Sequence, residues 1–371
     1  MTFVARPLSV LLAGGGSAGH VNPLLAIADC VKEREPSARI TVLGTAEGLE
    51  ARLVPQRGYR LEVLPKAPFP RRPNRDMVAF PRSIRAAIGR ARNVIQETAA
   101  DVVVGFGGYV STPAYLAARA EHVPIVVHEQ NARPGLANRL GSRMTPFVAT
   151  TFDRTALPHA QWVGMPLRRE ISALDTAAVR SEAIDHFGLD AHRPTLLVFG
   201  GSLGAHRLNA SFSAAAADVV TSGAQVLHLT GAGKDLVFDS GFSGGDDAAR
   251  YVALAYTDRM DLAYAAADLA ICRAGAGTVC ELAAIGLPAI YIPLPIGNGE
   301  QRLNAVGVVN AGGGQMVDDR EVSPGWVRDH VVPLLHNAEA LAQMGTSAAE
   351  IGERHADHRI VDLVLAAARR P

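Results

Sequence analysis

Cysteine is scarce in this 371-residue chain: Cys30, Cys272 and Cys280 are the only three, with no C-x-x-C spacing and an odd count. A disulfide framework is excluded, and free thiols in apolar surroundings of a reducing cytosol are expected. Long apolar runs are missing as well. No stretch reaches the roughly 18 to 20 apolar residues of a membrane-spanning helix. The early run PLSVLLAG is short and leads into a glycine turn, so it reads as a buried strand rather than a secretory signal. There is no D-x-D, and the Asp-Asp pairs at 246–247 and 318–319 fall in segments that read as exposed, so no metal is expected. An excess of charge is absent from the total, 36 basic residues against 36 acidic, but not from the halves. Residues 1–165 carry 20 Lys and Arg against 12 Asp and Glu, and the remainder carries 16 against 24. A basic first half suggests an anionic partner there, either phosphate groups or an anionic membrane face.

What is present fits two domains of ordinary size, each able to bury its own core. Short apolar runs alternate with helical stretches: SVLLAG (9–14), RITVLG (39–44), DVVVGF (101–106), PIVVHE (124–129), PFVATT (146–151), PTLLVFG (194–200), QVLHLTG (225–231), DLAICR (268–273) and PAIYIP (288–293). Most are continuously apolar, which marks strands buried on both faces, as in parallel sheets. Stretches such as NPLLAIADCVKE and RLNASFSAAAADVV have helical spacing. The architecture is therefore β-α-β-α, twice over. The join falls near QWVGMPLRREI, 161–171, giving domains 1–163 and 164–340. The Ala-rich helices of 341–371 are expected to pack back on the first domain.

One local motif occurs twice. LLAGGGSAGH (11–20) and LLVFGGSLGAH (196–206) place Gly15, Gly16, Ser17 and Gly19 against Gly200, Gly201, Ser202 and Gly204, a constant offset of 185 residues. A glycine turn between a buried strand and a helix leaves backbone N–H groups open at the helix start and removes the side chains that would hold a phosphate off. Two such turns predict two anion sites. Gly14, Gly16 and Gly19 also satisfy G-x-G-x-x-G, but the acid that a dinucleotide fold wants at the end of the second strand is missing from VLGT, so a dehydrogenase fits poorly.

GGGSAGHVNPLLAIA (14–28), GFGGYVSTPAYLAA (105–118), HEQNARPGLANR (128–139), VGMPLR (163–168), FGGSLGAHRLN (199–209), RAGAGTVCELAAIGLPAIYIPLP (273–295) and EQRLNA (300–305) together resemble the MurG family, bacterial transferases that add N-acetylglucosamine to the lipid-linked muramyl peptide of cell-wall synthesis. The resemblance implies an α/β chain with the GT-B fold, two Rossmann-like domains with parallel sheets facing a central cleft. It also implies lipid I at the N-terminal domain, UDP-N-acetylglucosamine at the C-terminal domain, and inversion at the anomeric carbon without a cofactor or metal.

For the donor, the resemblance assigns Ser17, Ala18, Gly19, His20, Asn131, Arg168, Ser202, Glu281 and Gln301. For the acceptor it assigns Gly15, Gly16, Tyr109, His128, Glu129, Gln130 and Asn138, with Asn131 in the same acceptor loop. His20 is expected as the base that deprotonates or orients the acceptor 4-hydroxyl. Arg168 and Ser202 are expected at the nucleotide diphosphate, Glu281 at the ribose hydroxyls, and Gln301, with Asn304 nearby, at the sugar. Plainer readings exist beside these. Ser17 suits a helix cap, Glu129 a loop anchor, and Thr278-x-x-Glu281 a capping box. The family carries Asn where this chain has Met165, and some members carry an amide in place of Glu300.

Residues 66–92, KAPFPRRPNRDMVAFPRSIRAAIGRAR, hold eight basic residues and one acid, with Phe69, Met77, Phe80 and Ile84 interleaved. Such a patch suits the anionic cytoplasmic face of the cell membrane, with peripheral attachment and the cell-wall synthesis machinery as further partners; no nucleic acid is expected. Other readings are a GT-B transferase for a different acceptor, a UDP-sugar epimerase on the same scaffold, and a nonenzymatic nucleotide-sugar sensor.

Overall fold

The computed structural model describes residues 6–16, 18–67, 75–201, 205–234, 236, 251–296 and 298–369. It divides into two units, Met1–Arg168 with Arg354–Pro371, and Arg169–Glu353.

The first unit is built on a seven-stranded sheet in the order β3-β2-β1-β4-β5-β6-β7. Its strands are β1 (Ser9–Ala13), β2 (Arg39–Gly44), β3 (Arg60–Val63), β4 (Val102–Gly105), β5 (Ile125–Glu129), β6 (Val148–Thr150) and β7 (Ala160–Trp162), all paired in parallel. The helices α1 (Ala18–Arg34), α2 (Glu50–Gln56), α3 (Arg75–Thr98), α4 (Gly108–Ala120) and α5 (Leu136–Gly141) connect them. The two-residue period of a strand sorts its side chains between two cores. Val10, Leu12, Val42 and Val104 pack on one face with Leu24, Ile27 and Val31 of α1. Leu11, Ala13 and Val103 pack on the other with Val94 of α3 and Val110 and Tyr115 of α4. Both faces are covered, which is why these runs are apolar without alternation.

The second unit repeats the plan in six parallel strands, ordered β10-β9-β8-β11-β12-β13. They are β8 (Thr195–Phe199), β9 (Gln225–Leu229), β10 (Tyr251–Leu254), β11 (Leu269–Cys272), β12 (Ala289–Tyr291) and β13 (Gly314–Met316). Leu196, Val198, Val226 and Ile271 pack with Leu208, Phe212 and Val219 from the helices on one face. In each sheet the first strand is central and the order reverses beside it, the doubly wound arrangement of nucleotide-binding folds.

The boundaries differ from the expected ones. The chain leaves the first unit after Arg168, not 163, and re-enters it after Glu353, not 340. The helix Ala338–Ile351 stays in the second unit, where Gly345 meets Gly286; a Cβ there would lie 2.7 Å from the Gly286 carbonyl. Only the helix Ala356–Ala368 returns. It buries Ile360, Val361, Val364 and Ala367 completely, in the same cluster as α1.

Candidate active site

Ligands of doubly wound sheets bind beyond the carboxyl ends of the strands, at the point where strand order reverses. In the first unit that point lies between β1 and β4, so the glycine turn after β1 and the Gly107–Tyr109 segment after β4 meet there. In the second it lies between β8 and β11, the strands that lead into Gly200–Gly201 and into the helix Ala276–Ile285. The duplicated motif shares one backbone angle: Gly16 and its counterpart Gly201 have φ of 93° and 85°. Side chains avoid that region, so the glycines are required by the backbone itself. Ser17 and Ser202 lie outside the described residues. Ala18 and Gly19 open α1, and His20 stands in its first turn, half-buried.

His20 belongs to a hydrogen-bonded chain. Its Nδ1 lies 3.0 Å from Oε1 of Gln130. Nε2 of Gln130 lies 3.0 Å from Nδ1 of His128 and donates to the His128 carbonyl at 2.9 Å. Nε2 of His128 lies 3.1 Å from the Gly164 carbonyl and 3.3 Å from the Thr151 hydroxyl, which itself donates to the Met165 sulfur. His128 is fully buried. Burial pushes its pKa down to about 4 against the upward pull of the Gly164 carbonyl, with a lesser downward push from the His20 ring, so it is neutral at neutral pH.

The rest of the acceptor loop is held from within. Both oxygens of the buried Glu129 carboxylate are engaged: Oε1 accepts from the Asn131 N–H at 2.9 Å, and Oε2 from the Gly135 N–H and the Asn138 amide, each at 3.0 Å. Asn138 also donates to the His128 carbonyl and accepts from the Tyr115 hydroxyl at 2.8 Å. Direct acceptor contact is therefore not the role that the geometry gives Glu129 and Asn138. They brace the loop that carries Gln130 and Asn131, because a buried polar group must be paired. Gln130 and His128 are likewise buried, at 1% and 0% exposure. Tyr109 remains half-buried beside the first turn, about where a Cβ on Gly16 would reach it at 4.0 Å.

Sequence reasoning missed Glu50. Its side chain is completely buried, and its carboxylate accepts from the Gly16 N–H at 2.8 Å, the Thr45 N–H at 2.9 Å and the Thr45 hydroxyl at 2.8 Å. A Cβ at Gly15 would come within 2.3 Å of that carboxylate. One amide of the expected anion turn is thus occupied by an internal anion. The sequence signal was the acid missing from the end of β2: it stands six residues later, on α2, and turns in under the glycines.

In the second unit, the helix Ala276–Ile285 is capped by Gly275, so Thr278 and Glu281 do not form the capping box that their spacing suggested. Glu281 sits one turn into the helix, half-buried, and accepts from the Tyr264 hydroxyl at 2.8 Å. Gln301, in the first turn of the helix Glu300–Asn310, accepts from the Leu294 N–H at 2.9 Å through its amide oxygen. Asn304 is buried and donates to the Ala274 carbonyl at 3.3 Å. Arg168 is half-buried and is the last residue of the first unit rather than part of the second. A cavity of about 810 Å³, lined by Arg180, Arg193, Tyr264 and Asp268 among others, opens at the amino ends of β8, β11 and β12, the edge of the sheet that doubly wound folds do not use for ligands.

The one group with metal-ligand spacing among the described residues is Cys30, Asp357 and His358, whose donor atoms lie within 4.8 Å where the returning helix meets α1. Burial, reinforced by Asp357, pushes the Cys30 thiol up to about 12, so it is a packed thiol rather than a ready thiolate. Cys30 and Cys272 are buried free thiols; Cys280 is half-buried.

Part of the basic segment is neutralised. Lys66 pairs with Glu47, Arg90 with Glu62 and Glu97, and Arg92 with Glu121. Arg82 and Arg85 are exposed on α3. Residues 68–74 and the side chains of 75–79, Phe69 and Met77 among them, lie outside the described residues. No helix among the described residues is long and apolar enough to cross a membrane.

Residues 10–150 match the glycosyltransferase family 28 N-terminal domain, and residues 195–360 its C-terminal domain. The two matches, one on each unit, define a family 28 glycosyltransferase. The UDP-N-acetylglucosamine–N-acetylmuramyl-(pentapeptide) pyrophosphoryl-undecaprenol N-acetylglucosamine transferase of Leifsonia xyli subsp. xyli is 54% identical over 95% of this chain and 97% of its own length. The protein of the same name from Clavibacter sepedonicus is 55% identical over 97% of each chain. The crystal structure of Acinetobacter baumannii MurG superposes with a TM-score of 0.76 at 28% identity, covering 97% of this chain and 100% of that one. The chain belongs to this family of N-acetylglucosamine transferases.

Proposed function

We infer that the chain moves N-acetylglucosamine from UDP-N-acetylglucosamine to the 4-hydroxyl of the muramyl sugar of lipid I, giving lipid II and UDP for peptidoglycan synthesis. The observation that carries this is identity above one half, over nearly the whole chain, to transferases named for that reaction. In this reading the first unit holds the acceptor and the second the donor. His20 takes the proton of the acceptor hydroxyl as that oxygen attacks the anomeric carbon, and UDP leaves from the opposite side, so the configuration inverts. The departing diphosphate carries the developing charge. The start of the helix His206–Ala214, behind the second glycine motif, has N–H groups suited to that charge, and Arg168 is the proposed cationic partner. Glu281, already an acceptor for the Tyr264 hydroxyl, has the chemistry to accept from a vicinal pair of ribose hydroxyls, and the Gln301 amide to donate to the sugar. Holding the two reactants in line supplies much of the rate.

The lipid carrier of the acceptor, together with the exposed Arg82 and Arg85, favours peripheral work at the cytoplasmic face of the cell membrane, with the 66–92 segment against anionic lipid.

One assay tests the activity: UDP release from UDP-N-acetylglucosamine with and without a lipid I analogue. Acceptor-dependent release is expected, and His20→Ala should reduce it by at least 10²-fold, the usual share of a positioned base. Epimerised sugar without acceptor would replace this reading with the epimerase. Flotation with vesicles containing phosphatidylglycerol should exceed flotation with neutral vesicles, and equal flotation would remove the membrane assignment.

A further inference from the structure

A histidine acts as a base through one nitrogen only, and which one depends on where its proton sits. In water the neutral ring favours the proton on Nε2. The hydrogen bond made by the other nitrogen can reverse that preference. Around His20 the direction of every bond can be worked out from two groups that only accept.

The first is the Gly164 carbonyl. It lies 3.1 Å from Nε2 of His128, so that nitrogen carries the proton. The neutral ring then presents Nδ1 as a lone pair, and His128 is neutral because burial holds its pKa down. The Thr151 hydroxyl agrees with this direction. It donates to the Met165 sulfur and so offers its oxygen to the same His128 N–H. The second is the His128 carbonyl, 2.9 Å from Nε2 of Gln130. Turning that amide over would set two oxygens against each other, so its NH₂ faces His128 and gives one hydrogen to the carbonyl and the other to the ring Nδ1 at 3.0 Å. Gln130 must then face His20 with its oxygen. An oxygen 3.0 Å from Nδ1 of His20 requires a hydrogen on that nitrogen.

We propose that Gln130 and His128 are positioning residues whose hydrogen bonds, fixed in direction by the Gly164 and His128 carbonyls, hold His20 as the Nδ1–H tautomer and leave Nε2 as its basic nitrogen. The two carbonyls act as fixed acceptors, the buried His128 passes the polarity on without ionising, and Gln130 converts a donor on one side into an acceptor on the other. Gly107 and Gly108 let the ring lie close to the backbone: Cβ atoms there would stand 3.4 Å from its Cε1 and 3.6 Å from its Cδ2. The titratable groups nearest this turn on the elements that meet there include Glu129 on β5, Tyr109 and Tyr115 on α4 and Glu50 on α2; the Tyr115 hydroxyl donates to Asn138. Both carboxylates among them are engaged with backbone or amide donors, so none competes with Gln130 for Nδ1.

This inference rests on the reading of His20 as the base, and the test separates the two. Histidine ring ¹⁵N shifts, with His20 assigned by loss of its signals in His20→Ala, read the tautomer directly in the wild-type protein. The expected pattern is a protonated Nδ1 and a bare Nε2. The opposite pattern overturns the relay whatever the activity. Gln130→Met, which keeps the length and removes the acceptor, should move His20 toward the Nε2–H form and lower kcat by about 10²-fold, with KM for UDP-N-acetylglucosamine within twofold of wild type. Gln130→Glu keeps an acceptor for Nδ1 and should retain the tautomer while shifting the acid limb of the kcat profile to higher pH, since a carboxylate favours the imidazolium. Full kcat in Gln130→Met with an unchanged tautomer removes the relay. Full kcat in His20→Ala removes the base reading instead, and leaves the tautomer measurement standing alone.

Discussion

Glu50 shows how one buried carboxylate can define a turn. Its three hydrogen bonds reach Gly16 and Thr45, on loops that follow two neighbouring strands, and tie them together. Truncation would leave the buried Thr45 N–H and hydroxyl without an acceptor, and would free the Gly16 N–H at the more open end of the turn. Glu50→Ala should therefore cost the first unit about 3 kcal/mol in urea unfolding, the cost of orphaning buried donors. UDP affinity should stay within twofold if the donor sits in the second unit. Gly15→Ala should act in the same direction, because its methyl group would meet that carboxylate. Stability of Glu50→Ala within 0.5 kcal/mol of wild type, roughly the scatter of neutral surface changes, would count against the brace.

Elements were legible to the extent that they are buried. The nine apolar runs all correspond to strands. The four strands without such a run, β3, β7, β10 and β13, are the two edges of each sheet. Edge strands have one neighbour and face water along one side, so they need no continuous apolar run; β7 is exposed throughout. For a related reason the sequence pattern does not distinguish the two C-terminal helices, which join different units. Both are amphipathic and rich in alanine, and an apolar face does not say which core it joins. Deletion of residues 354–371 would uncover α1 and remove Ile360, Val361 and Val364, each contributing roughly 1.5 to 3 kcal/mol on burial. That approaches the whole stability of an ordinary domain. Protein ending at Glu353 should lose hydrogen-exchange protection in β1, β2 and β4 while β8, β9 and β11 keep theirs.

At the scale of the molecule, each unit buries a neutral histidine. His128 is held at about 4 and His228 at about 3, both chiefly by burial. His228 sits between the Tyr251 hydroxyl at 2.8 Å and the Asn209 amide oxygen at 3.2 Å, so it too has its tautomer set by neighbours. The unfolded chain takes up these protons near 6.5, while the native units resist until about 4 and 3. Stability is therefore fully present above pH 6.5 and falls as pH drops through the window below it. Urea midpoints measured at pH 7.5, 5.5 and 4.5 should decline in both units, and a flat series would contradict neutral buried histidines. The uneven charge along the chain is also partly internal: Lys66, Arg90 and Arg92 of the basic segment are paired to acids of the same unit, and Arg82 and Arg85 are its exposed described charges outside those pairs.

The sequence by itself determined the doubly wound class, the central strands and the two glycine turns, because burial on both faces and positive φ leave few residue types to choose from. It also carried the family motifs. Tertiary structure alone decided that Glu129 and Asn138 brace a loop, that Glu50 lies under the first turn, and that Gln130 and His128 orient His20. Those roles depend on which donor meets which acceptor once distant segments are packed together. A one-dimensional chain states that the groups exist; only folding removes the water that would otherwise pair with them, and so compels each to find its partner.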